Sequence, residues 1–440
     1  MPTAVSAPGK VLLAGGYLVL DRAYTGLVFG LSARIHVLIS ELETSDGVEL
    51  SEIVVKSPQF RDAQWNYGYH LTGDDGGVSV AQLQSVSTAT LSRNPFIETA
   101  LGYALTYISS ITSTSIKPAA VTILADNDYY SQPSSTTSIH SSKFHFSDFG
   151  VRLKDAHKTG LGSSAALVTA FTGAILSHYL PISQFSLETE EGRAKLHNLA
   201  QAAHCAAQGK VGSGFDVAAA VYGTCVYRRF SPSILSHLDA PGSAGFSTRV
   251  QKVALNTSKN WNTEISKGGV TIPKGMSLVM CDVDCGSQTV SMVKKVLEWR
   301  KADVECSKAL CDELQIRNDT LASTLSSGSE EQLKVAFEKI REKIREMGEK
   351  TGVPIEPKEQ TALLDAVSGV EGVIGGVVPG AGGYDAVVLL VRDDKKTLGK
   401  VNDFLVTWRA EGKGNVQLLD AKGELEGARK EDGKLYQFWE

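Results

Sequence analysis

Long apolar runs are missing from this chain: no stretch approaches the roughly 20 consecutive apolar residues of a membrane-spanning helix. An excess of positive charge is missing too. Forty-four Lys and Arg stand against 49 Asp and Glu, a net charge of -5. Nucleic-acid proteins are usually basic, so neither nucleic acid nor a membrane is expected as a partner. Cysteine is sparse and scattered, at Cys205, Cys225, Cys281, Cys285, Cys306 and Cys311. The pairs 281/285 and 306/311 have roughly zinc-like spacing. However, Cys281 ends an apolar strand-like run and Cys306 and Cys311 fall in a helical pattern, so packed, reduced thiols are expected. The first ten residues, Met1 to Lys10, carry neither a basic nor an apolar signal region. A cytoplasmic protein is the expectation.

Three familiar phosphate-binding signatures are also absent. A Walker A loop needs Ser or Thr after Gly-Lys, but Val11 follows Lys10 and Val211 follows Lys210. Gly160-x-Gly162-x-x-Ala165 has the spacing of a dinucleotide fingerprint, but His157-Lys158-Thr159 precedes it where an apolar strand is required. Asp148-Phe149-Gly150 lacks the His-Arg-Asp loop of a protein kinase.

What is present reads as an ordinary globular chain. Its 440 residues are 42% apolar and 21% charged, enough for one large or two medium domains. Apolar patterning predicts strands over 4–14 and 26–40, a helix over 96–111 and a strand from Ala120 to Ala125. An Ala-rich buried helix is expected over 162–178, another helix over 190–208 and a strand from Gly223 to Phe230. The stretch 231–248 is rich in Ser, Pro and Gly and predicts a boundary between halves 1–235 and 236–440. The second half predicts a strand at Ser277–Cys281, helices at 288–302 and 330–348, strands at Val373–Val378 and Ala386–Val391, a helix over 395–410 and a last strand near 415–419. The Ser/Thr-rich segment 131–138 reads as a long loop, either a surface insertion or a lid.

Four glycine-rich motifs carry the chemistry. In Lys158-Thr159-Gly160-Leu161-Gly162-Ser163-Ser164-Ala165-Ala166, two glycines release the backbone and two serines open a helix. The free amides and dipole of such a helix start attract anions. A Ser-capped helix after a plain turn is the blander reading. Ala7-Pro8-Gly9-Lys10 begins an apolar strand with a lysine, costly to bury unless it meets an anion. Gln208-Gly209-Lys210-Val211-Gly212-Ser213-Gly214-Phe215-Asp216 leads into a small-residue helix. Pro379-Gly380-Ala381-Gly382-Gly383-Tyr384-Asp385 joins two apolar runs and reads equally as a hairpin turn.

In chain order these motifs resemble those of the GHMP kinase family over nearly the whole sequence. Leu13 to Asp21, Asp126 to Gln132 and Ala203 to Asp216 resemble, within it, the fungal branch whose acceptor is 5-phosphomevalonate. The resemblance implies an α+β, two-lobed fold, with an N-terminal lobe like ribosomal protein S5 domain 2 and a ferredoxin-like C-terminal lobe. It implies an ATP- and Mg²⁺-dependent kinase of the isoprenoid (mevalonate, sterol) route, monomeric or homodimeric. Gly160, Leu161, Gly162, Ser163, Ser164 and Ala165 would wrap the ATP phosphates, with Ser164 and Asp216 at Mg²⁺, and Asn127 and Ser131 also toward the nucleotide. Lys10 and Asp216 would sit at the acceptor, and 380–383, with Gly382 and Gly383, would close over it. Tyr17, Lys210 and Ser213 would contact the acceptor, and Lys158 would hold ATP phosphates. Relatives acting on mevalonate carry a Mg²⁺-binding glutamate about a dozen residues before the aspartate; here His204 or Cys205 stands there.

The charge of the acceptor separates the alternatives. An alcohol needs help to lose its proton; a phosphomonoester is already largely dianionic at neutral pH. Its difficulty is repulsion, about 4 kcal/mol per like-charge pair at about 4 Å and an effective dielectric near 20. Lys10, Lys158 and Lys210, one in each of the first three motifs, are expected to converge on that charge. A mevalonate or other GHMP alcohol kinase, a silent ligand-binding relative and a dinucleotide-binding oxidoreductase remain as alternatives at this point.

Overall fold

The computed structural model describes residues 2–42, 50–83, 93–113, 115–130, 146–238, 240–256, 261–283, 289–436 and 439. The chain enters on β1 (Thr3–Ala14) and returns antiparallel on β2 (Gly26–Glu41), with Val5 opposite Val37. Three strands follow: β3 (Glu52–Lys56), β4 (Gln64–Thr72) and β5 (Gly77–Leu83). Helix α1 (Pro95–Ile111) is closed by the Asn94 side chain, which accepts from the amide of Ile97. Strand β6 (Ala119–Ala125) pairs antiparallel with β2 and parallel with β3. Helices α2 (Ser163–Tyr179), α3 (Glu190–Gln208) and α4 (Phe215–Tyr222) then stack behind β1. Small residues (Thr169, Ala170, Thr172, Gly173 and Ala174) fill the middle of α2, and every residue from Val168 to Leu176 is buried.

Next come β7 (Cys225–Arg228), α5 (Phe246–Leu255), β8 (Glu264–Ser266) and β9 (Met276–Val283). Four helices follow: α6 (Thr289–Ala302), α7 (Val304–Ser327), α8 (Glu330–Thr351) and α9 (Lys358–Val367). The chain ends through β10 (Val373–Val377), β11 (Ala386–Arg392), α10 (Lys395–Ala410), β12 (Val416–Glu424) and β13 (Arg429–Lys430).

The strands β10-β11-β9-β12 form an antiparallel sheet whose connections, strand–helices–strand–strand–helix–strand, are those of a ferredoxin-like unit. Its inward residues, among them Val279, Leu389 and Val391, pack with Leu364 and Val401 of the helices. Strand β12 then does something further. Val416 to Leu418 pair with β9, while Gly423 and Glu424 pair with β2. One sheet therefore runs through both lobes. The expected halves, 1–235 and 236–440, are also knit together by α5, which packs on α1 and α3, and by β8, which pairs with β7. Among the described residues no helix is long and apolar enough to cross a membrane.

The helix starts differ in a way that matters for the site. Asn, Thr, Asp, Ser and Asp side chains close α1, α3, α7, α8 and α10. Helices α2, α4 and α5 instead begin after left-handed glycines, Gly162 (φ +83°), Gly214 (φ +85°) and Gly245 (φ +71°), which carry no capping side chain. In α4 the Val217 amide donates to Asp216 Oδ1 at 3.0 Å, whereas the first amides of α2 are left for an outside acceptor.

Candidate active site

A cavity of ≈ 300 Å³ is lined by Lys10, Gly16, Gly160, Ser213, Phe215 and the turn Pro379–Gly382. Residues from all four glycine-rich motifs thus share one space. Each piece is held by the backbone. The amide of Lys10 donates to Leu161 O at 2.9 Å, locking β1 to the turn before α2. The Lys10 ammonium donates to Gly160 O at 3.2 Å and lies 5.8 Å from the centre of the Phe215 ring. Burial lowers the Lys10 pKa, and the nearby Asp216 carboxylate opposes that shift. A Cβ at Gly162 would press on Cε of Lys10 at 2.9 Å, so glycine here makes room for the lysine as well as the turn.

The 379–383 loop is a hairpin turn between β10 and β11, and its residues 379–382 form one wall of the cavity. The Gly380 amide donates to Leu12 O and the Gly383 amide to Ile355 O, at 3.0 and 2.8 Å. Gly16 lies so close to Gly380 that any Cβ on it would collide with the Gly380 carbonyl. Gly16→Ala is therefore expected to displace the loop. Steady-state kinetics should show kcat/KM at least about 10-fold lower, with the unfolding midpoint changed far less.

Tyr17 is buried, and its hydroxyl donates to Ala381 O at 2.8 Å, so it braces this loop from behind rather than facing the cavity. Burial pushes its pKa up. Gly382 lines the cavity, whereas Gly383 is spent on the Ile355 bond. Ser213 lines the cavity beside α4, its carbonyl fixed by the Tyr227 hydroxyl at 2.7 Å.

The structure does not bring the three lysines to one cavity. The left-handed turns at Gly160 (φ +74°) and Gly162 (φ +83°) put Lys158 on the far side of the loop. There it lines a second pocket of ≈ 240 Å³ with Arg61, Trp65, Asn94, Pro95 and Lys154. Lys210 follows the left-handed cap Gly209 (φ +67°) and is exposed, outside the lining of either pocket. Asn127 lines another cavity, with Arg34, Asp128 and Glu431. Ser131, and the Ser/Thr-rich loop with it, lies outside the described residues.

Ser164 and Asp216 sit in the first turns of α2 and α4, and the ring of His204 stands between them. Its Nε2 is 3.1 Å from Ser164 Oγ and its Nδ1 is 3.9 Å from Asp216 Oδ2. Cys205, the other candidate for the displaced glutamate, is buried, and Gln201 Nε2 lies 3.2 Å from its sulfur; burial pushes the thiol pKa up. Hard oxygen donors at Ser164 and Asp216 suit Mg²⁺, which typically takes only one or two protein groups and fills its shell with phosphate and water. Sequence reasoning passed over Arg229. Its guanidinium donates to Leu20 O and Gly212 O at 2.7 and 2.8 Å, pinning the third glycine loop. Only the pairing Arg228-Arg229 after a strand hinted at it.

The family model described as the GHMP kinases N terminal domain matches residues 143–224, which include the α2 turn and the third motif. Among solved structures, a Lin0012 protein from Listeria innocua superposes with a TM-score of 0.69, at 18% identity, over 98% of this chain and 100% of its own. Phosphomevalonate kinase from Streptococcus pneumoniae, in complex with phosphomevalonate and AMPPNP, gives 0.62 at 15% identity, over 96% and 99%. The fold is that of the GHMP small-molecule kinases. A curated relative, phosphomevalonate kinase ERG8 of Gibberella zeae, is 57% identical across 99% of this chain and 98% of its own length. The chain belongs to the phosphomevalonate kinase family.

Proposed function

We propose that this chain transfers the γ-phosphoryl group of ATP directly to the phosphate of 5-phosphomevalonate. An acceptor phosphate oxygen attacks the γ-phosphorus, and the bond to the β,γ-bridging oxygen breaks. ADP leaves with that oxygen and its electron pair, and 5-diphosphomevalonate forms. Supporting the reading is one juxtaposition: the Lys10 ammonium bonded to the Gly160 carbonyl, inside a cavity also walled by Ser213 and the 379–382 turn.

Positioning and charge neutralisation carry most of the catalysis in such a transfer. The amides of Ser163, Ser164 and Ala165 receive the ATP phosphates at the uncapped start of α2. Lys10 lies between donor and acceptor phosphates, where repulsion is greatest. Asp216 offsets its charge and holds its orientation. Lys158, with Trp65 and Asn94, serves the nucleotide from the second pocket. Ser164 and Asp216 would hold Mg²⁺, which would supply further neutralisation of the phosphates. The free thiols at Cys205, Cys225, Cys281, Cys306 and Cys311 suit a reducing compartment such as the cytosol.

Turnover measured with ATP against phosphomevalonate, mevalonate, homoserine and galactose tests the assignment. Phosphomevalonate alone should turn over; preference for mevalonate would sink it in favour of an alcohol kinase. Because the acceptor arrives already ionised, Asp216→Asn is expected to lower kcat by about 10- to 100-fold, less than loss of Lys10. Complete inactivity with undiminished nucleotide binding would instead make Asp216 a required proton acceptor.

A further inference from the structure

Lys10 is a single cation, and the two lysines expected beside it lie elsewhere. A dianionic acceptor calls for a second source of positive potential. One such group stands a layer behind the cavity wall. Arg229, just past the end of β7, reaches two separate stretches of that wall. Its Nη1 donates to Leu20 O at 2.7 Å, and its Nη2 donates to Val211 O and Gly212 O at 3.2 and 2.8 Å. Leu20 and Ser213 both line the cavity.

The nearby arginines each have a carboxylate. Arg22 and Arg228 share Glu264 at 3.1 and 2.9 Å, and Arg300 takes Asp21 at 2.6 Å. Among the described residues Arg229 has no carboxylate oxygen within 4 Å; its three acceptors are peptide carbonyls. Carbonyls satisfy its protons without cancelling its charge. A guanidinium keeps that charge at any physiological pH.

The peptide joining Gly212 to Ser213 is trans, so its N–H points opposite to the carbonyl that Arg229 holds. The Ser213 amide has no acceptor among the described residues. On its other side the Tyr227 hydroxyl fixes Ser213 O at 2.7 Å, so the loop is held on both sides of this amide. Arg229 therefore stands at the negative end of a peptide dipole whose positive end is turned away from it.

We propose that Arg229 is a positioning residue for the acceptor phosphate: it aligns the Gly212–Ser213 peptide so that the Ser213 amide meets the phosphate, and it backs that amide with an unneutralised charge. The inference rests on the kinase reading above and assigns its acceptor side. It makes Arg229 a determinant of specificity, since an acceptor ending in an alcohol gains little from the added potential.

Two variants separate charge from bracing. Lysine keeps the charge but loses the fork that spans two loops, whereas glutamine keeps an NH₂ donor and loses the charge. In steady-state assays with ATP, Arg229→Gln should raise the KM for phosphomevalonate about 10-fold, the lower end for losing a contact that involves charge. Arg229→Lys should raise it no more than about 3-fold. The KM for ATP should not move in either variant. Inhibition by mevalonate, which lacks the phosphate, should also be unchanged. Equal rises in the two variants, or a parallel rise in the KM for ATP, would reduce Arg229 to a brace and overturn the proposal. So would a wild-type KM in the glutamine variant. Should that variant fail to fold, the lysine variant decides, and a rise of about 10-fold or more in it would overturn the proposal. Turnover of phosphomevalonate with no KM change in the variants would sink this inference and leave the kinase reading intact. Binding of phosphomevalonate in calorimetry without turnover would sink the kinase reading, and the variants would then be compared by their binding constants.

Discussion

Lys10→Met is expected to lower kcat by about three orders of magnitude while leaving the protein folded. Removing one preorganised charge from a water-poor site typically costs about 10²- to 10³-fold, and in the proposed reaction this charge would meet two polyanions at once. Lys158 and Lys210 cannot substitute for it, because the one lines the neighbouring pocket and the other is exposed. Methionine keeps most of the side chain's length beside Gly162 and Phe215 and discards the charge together with the hydrogen bond to Gly160 O. The fold should not suffer. Burial lowers the Lys10 pKa below the ordinary 10.5, so the native state holds that proton less tightly than the unfolded chain. The ammonium is thus a burden on the native state at neutral pH, relieved as pH rises through the lowered value toward 10.5. The variant should match or exceed the wild-type melting temperature at pH 7 and lack that alkaline gain. Near-normal kcat would remove Lys10 from the mechanism.

The second large effect lies behind the glycine loop. Glu356 is fully buried and accepts from Arg341 Nη2 at 2.8 Å, Arg345 Nη1 at 2.9 Å and the Thr361 hydroxyl at 3.1 Å. Removing one partner of a buried ion pair strands the other, at about 3–5 kcal/mol. Glu356→Ala is expected to lose stability on that scale, read as a shift in the denaturant midpoint with an unchanged slope. The damage should reach function, because the preceding residue, Ile355, holds the Gly383 amide through its carbonyl. Replacing the pair together, as Arg341→Met with Glu356→Leu, should recover much of the stability, since well-packed apolar groups often match buried ions. A single variant as stable as wild type would show that Arg341 is sufficiently served by Asp365, which lies 2.7 Å from its Nη2.

Most helices and the long strands were legible because their signals are local. The run from Ser163 to Tyr179 is alanine-rich and opens on a glycine turn, and Ala119–Ala125 is apolar but for Thr122. Strands β3 to β5 were not read. Buried Trp65 and Tyr67 alternate in β4 with Gln64, Asn66 and Gly68, and only pairing with β3 and β5 gives that pattern its meaning. Helix α9 was missed for a similar reason: it is short, and no side chain caps it.

The site divides along the same line. That four motifs converge followed from their resemblance to the GHMP kinase set; each one alone read equally as a plain turn, cap or hairpin. Where each lysine points could not be read, because backbone angles such as the positive φ of Gly160 decide it, and Lys158, two residues before that glycine, lines the second pocket. The sequence marked His204 only as a residue in an unexpected place. Its neighbours Phe96, Ser164 and Asp216 lie on three other helices, α1, α2 and α4, which sequence spacing does not reveal.

Strand β12 makes the polypeptide hard to divide. A cut between Ser266 and Met276 would separate two stretches that each look like a domain, yet the first fragment would lose the strand beside Gly30 and Leu31 and the segment paired with Val5 and Ser6. Bare strand edges of that kind invite self-association. Each fragment expressed alone should be insoluble, whereas the two produced together should reassemble, each supplying the other's missing border.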